Sequence, residues 1–143
     1  MRAYETFHVV DPDVAEMAID LVEDTFGDVH EWLPCAERGE WIVKHTCFYV
    51  VFLDDVYRGY FCLLNYGKRT YLHFGTIGKA LSYHDVLYGV AKAQCIARNV
   101  YGISELFCEV DAGGIIDKLC GKLGFEPTEQ ANTYSIKYHG QET

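Results

Sequence analysis

Residues Thr70–Phe125, TYLHFGTIGKALSYHDVLYGVAKAQCIARNVYGISELFCEVDAGGIIDKLCGKLGF, carry the strongest structural signal in the chain. Thr70–Gly78 is β-branched and aromatic, the composition of a half-buried strand. Ser82 followed three residues later by Asp85 reads as a helix start, because a hydroxyl and a carboxylate at that spacing take up first-turn amides that lack partners. Leu87, Val90, Ala91, Gln94, Ala97 and Tyr101 then recur at helical spacing and give one mostly apolar stripe. Ser104–Val110 is a second strand. Ile115, Ile116, Leu119 and Leu123 predict a second helix, stopped by Gly124. Two strands joined through a helix make a crossover, so they lie parallel or splayed, and a ligand is expected in that unit.

Upstream, Arg2–Val10 alternates as a strand. Asp11-Pro12 starts a helix, with a capping carboxylate ahead of a proline at the first helical position. Val14, Met17, Ala18, Leu21, Val22 and Thr25 line one face of it, expected to pack on the core, and Gly27 ends it. Asp28–Glu40 reads as a short helix plus loop, flanked by Trp32 and Trp41, which help to close the core. Trp41–Leu53 is rich in β-formers, Asp54-Asp55 marks a turn, and Val56–Leu64 follows as another strand. Asn65–Arg69 is a second hairpin turn. Downstream, Ala131–His139 reads as a final strand. The order β, α, short α, β, β, β, α, β, α, β predicts a mixed α/β sheet with helices on both faces, in a single domain over residues 1–143.

The 12 Lys and Arg against 21 Asp and Glu leave a net charge of -9, which argues against nucleic acid and anionic membrane surfaces as partners. No apolar run approaches the length of a membrane span, and Met1–Glu5 has no signal core, so a soluble, cytoplasmic protein is expected. The six cysteines, Cys35, Cys47, Cys62, Cys95, Cys108 and Cys120, form no C-x-x-C pair and mostly sit in apolar stretches. They read as reduced, buried and structural thiols, without the clustered spacing that a metal site needs.

The hairpin strands CFYVVFLDDVYRGYFCLL, the strand-helix unit TYLHFGTIGKALSYHDVLYGVAKAQCIARNVYGI and the ending IIDKLCGKLGFEP together resemble the GCN5-related N-acetyltransferase superfamily over nearly the whole chain. Asn99–Ile103 resembles the helix-closing step of that family, and Leu123-Gly124-Phe125 the close of its last helix. The resemblance implies an acyl-coenzyme A N-acyltransferase fold. It also implies acetyl-coenzyme A as cofactor and direct attack by an amine, carried by a small molecule or a lysine-bearing protein.

In that family a loop of the form Arg/Gln-x-x-Gly-x-Gly/Ala holds the pyrophosphate at a helix N-terminus, where backbone amides and the dipole favour negative charge. The matching positions are Ser82-Tyr83-His84-Asp85-Val86-Leu87, without a glycine or an arginine. Asp85 puts a carboxylate in the first helical turn, and Lys79 and His84 are the basic groups expected near it. Cofactor contacts are thus carried over to Ser82, Tyr83, His84 and Asp85. The backbone of Thr76, Ile77, Gly78 and Lys79 is expected along the pantetheine, an amide near Ile77 polarising the acetyl carbonyl. The family's general-acid tyrosine has its counterpart in Cys120. His73 is the candidate base on the first strand, and Glu109 on the second could reach the same cleft.

A preserved scaffold with a glycine-free phosphate loop also resembles small acetyltransferase-like proteins encoded by tailed bacteriophages. The alternative to catalysis is therefore a binding or assembly factor on the same scaffold, which predicts an exposed apolar patch.

Overall fold

The computed structural model describes residues 3–26, 38–77, 83–109 and 120–138. Strand β1 (Tyr4–Val9) leads into α1 (Pro12–Phe26), followed by α2 (Arg38–His45), β2 (Thr46–Leu53), β3 (Val56–Tyr66), β4 (Arg69–Thr76) and α3 (Tyr83–Asn99). Strands β5 (Glu105–Glu109), β6 (Glu126–Pro127) and β7 (Thr133–Lys137) complete the order. Among the described residues, seven strands run β1-β2-β3-β4-β5-β7-β6 across one sheet. β5 is parallel to β4 and antiparallel to β7, so the sheet is mixed, as the β-α-β reading predicts. None of the described helices is long and apolar enough to cross a membrane. The expected helix over Ile115–Leu123 falls outside the described residues as far as Leu119, as do Gly27, Trp32 and the Ser82 cap.

By contact the chain divides into two compact units, Met1–Cys62 with Phe74–Gly89 and Leu63–His73 with Val90–Thr143. In the first, the start of α1 forms as expected: the Asp11 carboxylate accepts the Asp13 amide at 2.9 Å and its carbonyl accepts the Ala15 amide at 3.1 Å. The buried face of α1 differs from the expected one. Ala15, Ala18, Ile19 and Val22 are buried, whereas Val14, Met17 and Leu21 are 40%, 59% and 44% exposed. Ala18 and Val22 face inward as expected, but the helix is turned so that Ala15 and Ile19 complete the inner face and Val14, Met17 and Leu21 face out. The side chain of Thr25 lies outside the described residues.

A second correction concerns Trp41–His45, which is helix rather than strand. Its buried residues, Arg38, Gly39 and Ile42, sit at helical spacing, and Ile42 is almost wholly enclosed with Ile19 and Phe48. The Thr46 hydroxyl donates to the Ile42 carbonyl at 2.8 Å, so the β-forming run changes to strand at that point. α1 and α2 approach closely: a Cβ on Gly39 would lie 2.1 Å from the Pro12 carbonyl oxygen. The buried Arg38 crosses between them, donating to both Glu16 oxygens at 2.9 and 3.1 Å and to Asp20. The β2–β3 hairpin turns on Asp54 and Asp55, both at positive φ, the geometry that matches the right-handed twist of paired strands.

In the second unit, Leu106 is fully buried. Val90 and Ala97 of α3 are buried as expected, but Val86, Ala93 and Ile96 share that face, whereas Ala91 and Tyr101 are exposed and Leu87 and Gln94 half-buried, so the inward face of α3 is turned from the expected stripe. The Tyr138 hydroxyl donates to Gln94 at 3.3 Å, and the Arg98 guanidinium stands over the Tyr138 ring. Gly124, at φ 91°, closes the turn after Cys120. The Phe125 amide returns to the Cys120 carbonyl at 2.9 Å and the Gly124 amide to the Gly121 carbonyl at 3.3 Å, the paired bonds that end a helical turn.

Candidate functional site

In the first unit, the opening turn of α3 is tied to the sheet through Asp85. This residue is 6% exposed. Its Oδ1 accepts the Tyr4 hydroxyl at 2.7 Å, and its Oδ2 accepts Arg58 Nε at 2.8 Å with Nη2 at 2.7 Å. Three residues along α3, the Tyr88 ring stacks on Tyr4 at 4.2 Å and its hydroxyl shares a 2.8 Å hydrogen bond with Thr6. Tyr4 and Thr6 thus face α3, while Val9 on the opposite face of β1 joins the α1 cluster.

Asp85 therefore points inward, to a tyrosine and an arginine, and its charge is balanced there. The sequence suggested Lys79 and His84 as the nearby basic groups, and the structure adds Arg58 from β3. The signal that could have found it is Gly59, since glycine within a strand marks a bulge or a close approach. Gly59 has φ 147°, and a Cβ there would lie 2.2 Å from the Gly75 carbonyl oxygen. The strand alternation shifts at this point. The Tyr57 hydroxyl donates to the Ala18 carbonyl of α1 at 3.0 Å, and Tyr60, three residues on, packs in the same α1 cluster. Arg58 is left facing α3.

The end of β4 lies beside Arg58. The Ile77 amide donates to the Arg58 carbonyl at 2.9 Å. That amide is engaged in the sheet, so the expected polarisation of an acetyl carbonyl falls to another group. A Cβ on Gly75 would meet the Tyr60 ring and Val22, and Ile77 packs on the same cluster, so both face α1. By alternation the intervening Thr76 faces α3. Thr76 is 6% exposed, and its hydroxyl has no hydrogen-bond partner among the described residues. A buried hydroxyl left without a partner is costly, and such groups sit where a water or a ligand completes the set. Gly78, Lys79 and Ser82 lie outside the described residues, and so does the side chain of Tyr83. His84 is exposed.

In the second unit, β4 and β5 pair in parallel with Thr70 opposite Leu106 and Tyr71 opposite Phe107. Continuing two residues along each strand brings His73 level with Glu109, on the face that carries Tyr71 and Phe107. Among the described residues the parallel register stops before them. On the other side of β5, Glu109 is opposite Thr133 of β7. Cys120 is buried, as is Cys108, whose thiol is pushed up to about 12 by burial first and by Cys120 and Glu109 second. Cys47, Cys62, Cys95 and Cys108 are free thiols; Cys62 is buried as expected, whereas Cys95 is exposed and Cys47 half-buried. No His, Cys, Asp and Glu cluster suited to a metal ion occurs among the described residues.

No family model matches the sequence, and no curated protein sequence matches it. Solved structures do match in fold. The chain is similar to the PaiA N-acetyltransferase of Thermoplasma acidophilum in complex with coenzyme A, at 15% identity and TM-score 0.71, over 95% of this chain and 99% of that one. It is similar to an N-acetyltransferase of Staphylococcus aureus Mu50 at 12% identity and TM-score 0.73, over 94% and 98%. The N-acetylglutamate synthase of Neisseria gonorrhoeae, complexed with coenzyme A and N-acetyl-glutamate, matches 97% of this chain through 35% of its own length, at 16% identity and TM-score 0.66.

Proposed function

From a chain with the fold of the GCN5-related N-acetyltransferases, we infer an acetyl-coenzyme A-dependent transferase acting on an amine. The observation that carries the reading is the short parallel register of β4 with β5, which covers Thr70–Tyr71 and Leu106–Phe107. Backbone amides and carbonyls beyond a ladder's end need partners, and the two amides of a pantetheine arm can supply them. The unpartnered Thr76 hydroxyl supports the fit, and so does Asp85, whose charge is met by Arg58.

Acetyl-coenzyme A would supply an acyl thioester: a bond forms from the amine nitrogen to the acyl carbon, the carbon–sulfur bond breaks, the nitrogen loses a proton and the sulfur gains one. In this reading His73 on β4, with Glu109 on β5, takes the nitrogen's proton directly or through water. Cys120 occupies the place of the acid that protonates the departing sulfur. Thr76 and Ile77 of β4, with Gly78 and Lys79 beyond it, border the pantetheine, and Ser82–Asp85 border the phosphates. The acidic surface suits a cationic amine, whether a small molecule or a lysine on a protein, and the free thiols suit a reducing cytoplasm.

The test is release of free thiol from acetyl-coenzyme A in the presence of a panel of primary amines and lysine peptides. His73→Ala and Glu109→Gln should lower kcat at least 10-fold with little change in KM for the acyl donor, a general-base contribution being about 100-fold or more. Wild-type protein inert toward every acceptor while still binding the acyl donor would restrict the function to binding.

One observation favours the second reading, a binding or assembly factor such as those of phages. The outward face of α1 and the neighbouring strand β1 form an apolar groove of about 630 Å³, lined by Phe7, Val10, Val14, Met17 and Leu21 among others. A surface of this composition is typical of partner-binding sites. Met17→Glu with Leu21→Lys should abolish an assembly function and leave acetyl transfer intact.

A further inference from the structure

Resting on the acyltransferase reading, we propose that Arg58 on β3 is the cation that holds a phosphate of the acyl donor, with Asp85 positioning it and the Thr76 hydroxyl as a second contact. A guanidinium has five N–H donors in a fixed plane. Nε and Nη2 of Arg58 both lie on Asp85 Oδ2, and the remaining donors have no partner among the described residues. The Asp85 side chain is 4% exposed and that of Arg58 is 30% exposed. The carboxylate thus grips one edge of the guanidinium from the protein side and leaves another edge toward solvent, at the first turn of α3. Planar bidentate recognition of a phosphate needs this kind of oriented edge.

Asp85 is held at both oxygens, by Tyr4 as well as Arg58, and so fixes the arginine's plane. The partial positive charge of the α3 N-terminus adds to the attraction for an anion. Thr76 is the independent observation. Its hydroxyl faces the α3 side of β4, next to the residue whose amide binds the Arg58 carbonyl, and it is buried without a partner among the described residues. A phosphate bound on Arg58 would satisfy that hydroxyl. An arginine reaching in from β3 makes a basic residue within the Ser82–Leu87 loop unnecessary.

The experiment is calorimetric titration of the full chain with three probes: coenzyme A, 4′-phosphopantetheine and pantetheine, the last lacking phosphate. Arg58→Gln should weaken coenzyme A and phosphopantetheine by about 10-fold or more, the size of a charge-assisted hydrogen-bond pair, and change pantetheine by less than about 3-fold. Arg58→Lys, which keeps the charge and the contact with Asp85, should fall between the two and guards against loss of fold. Thr76→Val should weaken the phosphate-bearing probes by about 5-fold, the cost of one neutral hydrogen bond. If Arg58→Gln and Arg58→Lys bind coenzyme A as tightly as wild type, or lose pantetheine equally, the assignment is overturned and the acyltransferase reading stands. If wild type binds none of the three, both are overturned.

Discussion

Tyr4 and Asp85, 81 positions apart in the chain, meet in a 2.7 Å hydrogen bond that fastens the first turn of α3 to β1. The carboxylate is buried, so removing either partner leaves a polar group short of a bond in a place water reaches poorly. Tyr4→Phe should cost about 1–2 kcal/mol of stability and Asp85→Asn about 3 kcal/mol, because the second also leaves Arg58 without its counter-charge. Urea unfolding of the two variants checks the order. An Asp85→Asn protein as stable as wild type would show that the contact carries no weight.

Gly59 is required by a close approach. The added Cβ of alanine would lie 2.2 Å from the Gly75 carbonyl oxygen, in a backbone conformation at φ 147° that side chains rarely adopt. Gly59→Ala should destabilise by about 3 kcal/mol or more and, by displacing Arg58, should weaken phosphate-bearing ligands in what remains folded. Unfolding midpoints together with probe titration separate the two effects.

Arg38 joins α1 to α2 with its side chain 7% exposed, while its partners Glu16 and Asp20 are 39% and 53% exposed. Its loss frees two carboxylates that water can solvate, so the penalty comes from lost bidentate bonds and packing rather than from stranded charge. Arg38→Ala should cost about 2 kcal/mol, with reduced sensitivity of the unfolding midpoint to salt.

Alkaline pH should unfold the chain through its buried thiols. Burial pushes Cys62 and Cys108 up to about 12 from 9.0. In the unfolded chain these thiols ionise near their ordinary value. From there up to the folded value the unfolded state binds fewer protons, and stability falls as pH rises. Each thiol removes about 1.4 kcal/mol per pH unit across that window. Comparing urea midpoints at pH 8 and pH 10 should show the fall, and Cys62→Ala with Cys108→Ala should flatten it. A variant with the wild-type slope would assign the effect to other groups.

Much of the fold was legible because its signals are local. Asp11-Pro12, the Asp54-Asp55 turn and the Gly124 stop each depend on a few neighbouring residues. The corrections, the buried face of α3 among them, arise where burial overrides local preference. Trp41–His45 is rich in β-formers, yet Ile42 and Gly39 are needed on one helical face against α1. The stripe of α1 turns to bring Ala15 and Ile19 inward, a choice set by how closely its partners approach. For the candidate site, strand periodicity puts His73 and Glu109 on one face of β4 and β5, but it does not reveal the charges around α3. The partnership of Arg58 with Asp85 depends on a shift of strand alternation at Gly59, and nothing in a linear reading measures which face an arginine reaches after that shift.

The most direct measurement is thermal unfolding of the full chain with and without acetyl-coenzyme A, paired with calorimetric titration of the same ligand. Saturable binding with one ligand per chain should raise stability by about 2.7 kcal/mol at 100 times the dissociation constant, a shift of several degrees for a chain of 143 residues. An unchanged melting temperature at millimolar acetyl-coenzyme A, with no heat of binding, would contradict the acyltransferase reading.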